Sequence, residues 1–261
     1  MLKFFKGVFV FAILSIFIGC VGANAEPKKD TSHMKFAFMF AMKEESRALE
    51  ALNIPITWHD YKGYKIANFN YKNHKCVAVI MGVGKSLSAG AAALVLEKYS
   101  PDVLINISSA GGLNCKVGDI ILSQSALFHD VNLGAINYEL YRLPDLPIII
   151  KSKNDLIKEF DIKNKISKDI TIRSGIVISS DQFLRRAQYY KELSKHYPDA
   201  KATEMEAASI AAICHRAGYD YLFIKKITNV ADDDLNNNSF DSEILKFKDK
   251  VGQILLAIMN S

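Results

Sequence analysis

Cysteine is scarce in this chain, and its spacing excludes a thiolate metal site. Of four cysteines in 261 residues, Cys20 falls in an N-terminal apolar segment. Cys76, Cys115 and Cys214 form an odd set without the short paired spacings that a metal site needs. They read as buried apolar thiols, with a disulfide between two of them open in an oxidising compartment. A usable excess of one charge is also missing. The 33 basic and 28 acidic residues give a formal +5, and loss of Lys3 and Lys6 with the N-terminal segment leaves about +3. Lysines such as Lys151, Lys153, Lys158, Lys163 and Lys165 are scattered as on a solvated face, which argues against a nucleic-acid partner. There is no internal repeat, no low-complexity tract beyond Asn236–Asn238, and no apolar run of the 18 or more residues that a spanning helix requires. What remains, 49% apolar and 23% charged, describes one globular domain with a sizeable core.

The N-terminus carries an address. Lys3 and Lys6 precede an apolar run from Gly7 to Gly19, and small residues then lead to Ala23-Asn24-Ala25, the pattern of a secretory signal. Residues 1–25 are therefore expected to be removed, 26–34 to form a polar linker, and 35–261 to form the folded domain. The expected location is periplasmic or secreted, with no spanning helix after processing. A lipid anchor on Cys20 is the alternative, weakened by Phe17 at the usual leucine position.

Along the domain, strand-like and helix-like stretches alternate. Lys35–Ala41 is an apolar run of strand length followed by the helix-forming stretch Lys43–Leu52. Tyr64–Tyr71 and Cys76–Met81 read as a hairpin, and Gly82–Lys85 turns into an alanine-rich helix, Ser86–Tyr99. Val103–Ile107, Asp119–Phe128, Gly175–Ile178 and Tyr221–Ile227 read as further strands. Met205–Ala217 and Asp241–Met259 read as helices. The pattern predicts an α/β domain, a mixed central sheet covered by helices on both faces.

In such a sheet, ligands collect at the carboxyl ends of strands, which directs attention to four places. Glu45 follows the first strand, where its plain reading is a carboxylate complementing a helix N-terminus. Ser108–Gly112 follows another strand, its glycines serving a tight turn or a close backbone approach to a ligand. Thr203-Glu204-Met205-Glu206 opens a helix, with Thr203 as a candidate cap. Thr228–Asp232 follows the strand at 221–227. Each alone has a bland explanation.

Together, the order and wording of Ala41–Glu45, Gly82–Lys85, Pro101–Asn106, Ser109–Leu113, Val117–Ile120, His129-Asp130, Ser180–Phe183, Glu204–Ala207 and Val230–Asp232 resemble the 5′-methylthioadenosine/S-adenosylhomocysteine nucleosidase family of the purine-nucleoside phosphorylase superfamily. The resemblance implies a three-layer phosphorylase/hydrolase-like fold, usually a homodimer. It also implies cofactor-free, metal-free hydrolysis of an N-glycosidic bond that releases adenine. Glu45 matches the general base for water, and Glu206 the carboxylate that holds the ribose hydroxyls. Ser109, Ala110 and Gly111 match the pocket lining. Phe183 matches a ring stacking on the base, with Leu184, Glu204 and Met205 beside the nucleoside and Phe240 closing the thioalkyl side. Core packing is the bland reading of Met205 and Leu184.

The departures concern chemistry. The family pattern has aspartate where Asn229 stands; an amide can still bond a purine edge but cannot deliver a proton. Loss of general-acid help costs roughly 10²–10⁴-fold in rate, so a slow nucleosidase is expected unless Asp232 or water substitutes. Lys225 stands for an arginine, Ser108 for a glycine and Asn132 for a second acid. Two other classes remain open: a purine-nucleoside-binding or adhesin-like surface protein with degenerate activity, and a nucleoside phosphorylase.

Overall fold

In the computed structural model, residues 31–183, 193–230 and 242–261 are described. Leu184, Asp232 and Phe240, the signal segment and most of the linker lie outside them.

Among the described residues, twelve strands form one mixed sheet. β1 (Lys35–Phe40) is followed by a 3-10 helix (Glu45–Leu52), β2 (His59–Tyr61), β3 (Tyr64–Tyr71), β4 (His74–Ile80) and α1 (Lys85–Tyr99). Then come β5 (Val103–Gly112), β6 (Ile120–Ser123), β7 (Ser125–Phe128), β8 (Ile150–Lys151), α2 (Leu156–Glu159), α3 (Ile162–Lys165), β9 (Ile172–Ser174) and β10 (Ile176–Ser179). β11 (Ala200–Glu204), α4 (Ala207–Ala217), β12 (Asp220–Val230) and α5 (Phe247–Met259) complete the domain. The continuous path runs β2-β3-β4-β1-β5-β11-β10-β7-β8, with β12 paired to β5 and β6, and β9 to β6.

Strict alternation in the central strands builds three layers. Ala37 and Met39 of β1, Leu104 of β5 and Tyr221 and Phe223 of β12 pack on one face with Ala91, Val95, Ile210 and Cys214 of α1 and α4. Phe36, Phe38, Phe40, Ile105, Ile107, Leu222 and Ile224 face the other way, onto Leu49 of the 3-10 helix and Phe247, Val251, Ile254 and Ile258 of α5. The fold is thus the predicted mixed sheet between helical layers. Cys76, Cys115 and Cys214 are free and buried. No helix among the described residues is long and apolar enough to cross a membrane.

Several sequence expectations change. The stretch after β1 is a 3-10 helix from Glu45, not an α-helix from Lys43, because the Glu45 carboxylate turns back onto the amides of Ala41 and Met42. Residues 108–112 are not a turn but the upper half of β5. Thr203 lies in β11 and does not cap α4. That strand escaped notice because Ala-Lys-Ala-Thr-Glu has little intrinsic strand preference, and pairing with β10 and β5 overrides it. The closing stretch is broken: a short helical stretch at 242–244 and a turn at Leu245 and Lys246 precede the α-helix Phe247–Met259, while Asp241 lies outside the described residues.

β5 positions the site. Its lower half lies between β1 and β12, Phe36 to Met39 pairing Val103 to Asn106. β1 then ends, and Gly111 and Gly112 pair with Thr203 and Ala202 of β11 instead. The gap opened where β1 leaves β5 is at the carboxyl ends of β1 and β12, where an α/β sheet places its ligands.

Candidate active site

A cavity of about 250 Å³ occupies this gap. Ala41, Met42 and Glu45 contribute from the end of β1, Ser109 to Gly111 from β5, Thr203 to Glu206 from the end of β11, Thr228 and Asn229 from β12, and Val83, Gln182 and Phe183 from two loops. Nine sequence-selected residues thus meet in one cavity: Glu45, Ser109, Ala110, Gly111, Phe183, Glu204, Met205, Glu206 and Asn229.

Glu45 is 1% exposed, far from the solvated helix start of its plain reading. Its Oε2 accepts the Ala41 and Met42 amides at 2.9 and 3.0 Å, and Oε1 accepts the Ser109 amide and hydroxyl at 2.8 and 2.9 Å. Burial pushes its pKa upward, opposed by these bonds and by the charge of Lys225. A carboxylate held this way retains high proton affinity without losing its position. Its only side-chain donor among the described residues, the Ser109 hydroxyl, is the partner that can rotate away and release a lone pair.

Glu206 is 3% exposed. Oε1 accepts the Gly84 amide at 2.8 Å, and Oε2 carries no hydrogen bond among the described residues. Gly84 has φ of 103°, and a Cβ there would approach Asp181 Oδ1 at 3.2 Å, so glycine is what brings this amide onto the carboxylate. The turn is pinned from outside: the Lys85 amide donates to Asp181 Oδ1 at 2.8 Å, and Lys85 Nζ donates to Asp130 Oδ2 at 2.6 Å. Burial, and then the charge of Glu204, raise the Glu206 pKa to about 8.

Glu204 lines the cavity, but its oxygens are engaged within the protein. They accept Ser179 Oγ at 2.5 Å, the amides of Glu206 and Ala207, and Lys225 Nζ at 2.7 Å. Glu204, rather than Thr203, therefore satisfies the amides that open α4. Lys225 is fully buried and also donates to Asn106 Oδ1 at 2.5 Å and Ser108 Oγ at 2.7 Å. One ammonium thus stands beneath three buried carboxylates. Sequence reasoning noted Lys225 only as a departure; a better signal was a lysine pair inside the apolar strand Leu222–Ile227, which alternation sends to opposite faces. Its neighbour Lys226 pairs with Glu243 at 3.1 Å on the other side.

Asn229 reaches the cavity through a bulge. The register of β12 against β5 shifts between Ile227 and Asn229, so that Asn229 pairs with Gly111 and Thr228 is the extra residue. Thr228 Oγ1 lies 3.2 Å from Asn229 Oδ1 and 3.4 Å from Ala110 O. A Cβ on Gly111 would stand 3.0 Å from Thr203 Cγ2 and 3.4 Å from Asn229 Nδ2, so here the glycine serves close approach rather than a turn. Phe183 is 53% exposed and forms an outer wall.

The arrangement combines a buried base, a second carboxylate with an open oxygen, an amide and an aromatic wall around one cavity. The sequence model of the phosphorylase superfamily matches residues 35–260. Over 230 residues the chain is 31% identical to the 5′-methylthioadenosine/S-adenosylhomocysteine nucleosidase of Glaesserella parasuis serovar 5, covering 87% of this chain and 99% of that protein. The chain belongs to the methylthioadenosine/S-adenosylhomocysteine nucleosidase family. Two solved members are similar throughout. The Neisseria meningitidis nucleosidase in complex with methylthio-immucillin-A has a TM-score of 0.79 at 27% identity, with 86% of this chain and 98% of that one covered. The Colwellia psychrerythraea nucleosidase in complex with adenine has a TM-score of 0.79 at 26% identity, with 87% and 95% covered.

Proposed function

We propose that this nucleosidase hydrolyses the N-glycosidic bond of thioether purine nucleosides of the methylthioadenosine and S-adenosylhomocysteine class, and that it releases adenine slowly. The observation that carries the reading is the placement of Glu45, Glu206 and Asn229 around one cavity. The bound inhibitor and the bound adenine of the two solved relatives support it.

Glu45 accepts the proton of a water that attacks the anomeric carbon, once the Ser109 hydroxyl turns from Oε1 to the water or the sugar. Glu206 Oε2 pairs with a ribose hydroxyl; its own proton is lost as pH rises through about 8, and the negative charge then favours the cation-like sugar of the transition state. Phe183 covers the base. Glu204 and Lys225 hold the floor of the site rather than contact the substrate. Asn229 meets the purine edge without supplying a proton, so adenine departs more slowly than with a carboxylic acid there.

Export of the mature chain and assembly as a homodimer belong to the same proposal. Exposed Val83, Leu87, Ile136, Leu140 and Phe183 support an association face beside the cavity. The deciding experiment is chromatographic detection of adenine from methylthioadenosine. The purified chain releases it slowly, and Asn229→Asp accelerates release by roughly 10²–10⁴-fold. Absence of release from both proteins overturns hydrolysis. Tight binding without turnover points instead to a purine-nucleoside-binding protein, the reading that Asn229 favours.

A further inference from the structure

Three of the sequence motifs that supply no reacting group meet at one carboxylate. Gly82–Lys85 opens α1, His129-Asp130 follows β7, and Ser180–Phe183 follows β10. β7 and β10 are parallel neighbours, Phe128 pairing with Ser179, so their loops leave the sheet side by side and bring Asp130 next to Asp181. Two carboxylates so placed repel, and Lys85 stands between them: Nζ lies 2.6 Å from Asp130 Oδ2 and 3.8 Å from Asp181 Oδ2. Asp130 Oδ2 also accepts the Asp181 amide at 3.1 Å, whereas Oδ1 is buried and has no hydrogen bond among the described residues. One oxygen thus holds two segments.

Each segment carries one wall of the cavity. On the first, the Lys85 amide is fixed on Asp181 Oδ1 at 2.8 Å, and the neighbouring Gly84 amide donates to Glu206 Oε1 at 2.8 Å. The second continues into Gln182 and Phe183, which line the cavity. The inner side of the Gly84 turn has a separate tie. Ser88 Oγ lies 2.9 Å from Gly84 O and 2.7 Å from Ser209 Oγ, and Ser209 Oγ donates to Glu206 O at 2.7 Å. These buried hydroxyls join the starts of α1 and α4. They leave the aim of the Gly84 amide to the contacts of Lys85, Asp130 and Asp181.

Resting on the ribose-holding role of Glu206 given above, we propose that Asp130 is a positioning residue for that role, setting Glu206 and the 181–183 wall as one unit. Asp130 does not line the cavity. It acts through Lys85 and the Gly84 amide on one side and through the Asp181 amide on the other. Bonds from an ammonium and an amide to a carboxylate are charge-assisted, and stronger than neutral ones. Without them Lys85 turns to water, the Gly84 amide leaves Glu206 Oε1, and the carboxyl group swings away from the place where Oε2 meets the sugar. Glu206 is then present but misaligned.

The test measures calorimetric Kd values for adenine and for formycin A, an adenosine analogue whose base and ribose are joined by an uncleavable carbon–carbon bond. Asp130→Ala weakens formycin A by about tenfold or more, the scale of one buried polar contact. In a Glu206→Ala background the same change costs no more than about threefold, the share that runs through the 181–183 loop. Adenine, which lacks the ribose, loses only that share. Asp130→Asn keeps an oxygen for both donors and stays within about threefold of the wild type. Lys85→Met removes the ammonium and leaves Asp130 in place; it repeats the Asp130→Ala pattern and carries the test if Asp130→Ala does not fold. Equal losses for adenine and formycin A, equal losses with and without Glu206, or no binding of formycin A by the wild-type protein overturns the proposal. If the pattern holds and methylthioadenosine is not cleaved, the positioning role stands and hydrolysis falls. If methylthioadenosine is cleaved but the losses are equal, hydrolysis stands and this inference falls.

Discussion

Replacing Lys225 by methionine keeps the length and most of the apolar volume of the side chain but removes the ammonium that stands among three buried carboxylates. The Lys225–Glu204 pair spans 2.7 Å, with side chains 0% and 3% exposed. Water cannot replace the lost charge there, and Asn106 Oδ1 and Ser108 Oγ lose a donor as well. Breaking a buried pair from one side costs about 3–5 kcal/mol. At roughly 2–4 °C per kcal/mol for a domain of this size, Tm should fall by about 6–20 °C, measured by circular dichroism at pH 7. Adding Glu204→Gln removes the orphaned charge while leaving an acceptor for the α4 amides, so the double variant should recover at least half of the loss. Lys225 also lowers the proton affinity of Glu45 and Glu206, so the acid limb of the pH–rate profile should move to higher pH in Lys225→Met. A Tm loss under about 2 °C, or a double variant no more stable than the single, refutes this electrostatic account.

Glu45→Gln keeps the volume of the side chain but cannot take a proton, so kcat should drop by roughly 10²–10⁴-fold, and Tm should fall as well because its amide nitrogen is set against the buried Ala41 and Met42 or Ser109 N–H donors; retained turnover would remove Glu45 from the mechanism. Glu206 has its folded pKa raised to about 8, so the folded state holds a proton that the unfolded chain has released above the ordinary glutamate range. Its contribution to stability is therefore present at low pH and lost as pH rises toward 8, with a slope of up to about 1.4 kcal/mol per pH unit. Glu206→Gln should flatten that decline in urea-unfolding midpoints, and superimposable pH profiles would contradict it. Burial pushes the thiols of Cys76 and Cys214 up to about 12, so an aromatic disulfide reagent should label neither in the native protein; rapid labelling of both would refute their burial.

The parts of this molecule written in local pattern were readable in advance. Alternating Phe36, Phe38 and Phe40 against Ala37 and Met39 announce a strand buried on both faces, and the run from Ser86 to Tyr99 announces α1. The parts made by tertiary pairing were not. β11 exists because β10 and the diverging end of β5 leave a place for it, not because Ala200–Glu204 prefers to extend. Residues 108–112 look like a turn because they contain two glycines, yet they continue β5, since Gly111 lies against Thr203 and Asn229. At the site, Glu45, Glu206 and Asn229 were legible as chemistry, but their surroundings were not. Two of the four donors on Glu45 come from Ser109, 64 residues away, and the Gly84 amide reaches Glu206 across 122 residues. The bulge that brings Asn229 into the cavity lining has no sequence signature.

The central claim, that Glu45 delivers water to the anomeric carbon, is tested most directly by turnover in ¹⁸O-labelled water with phosphate present. Hydrolysis predicts a released base and a free sugar carrying one ¹⁸O at C1, with Glu45→Gln suppressing both. A sugar phosphate, an unlabelled sugar, or no cleavage of methylthioadenosine would contradict it.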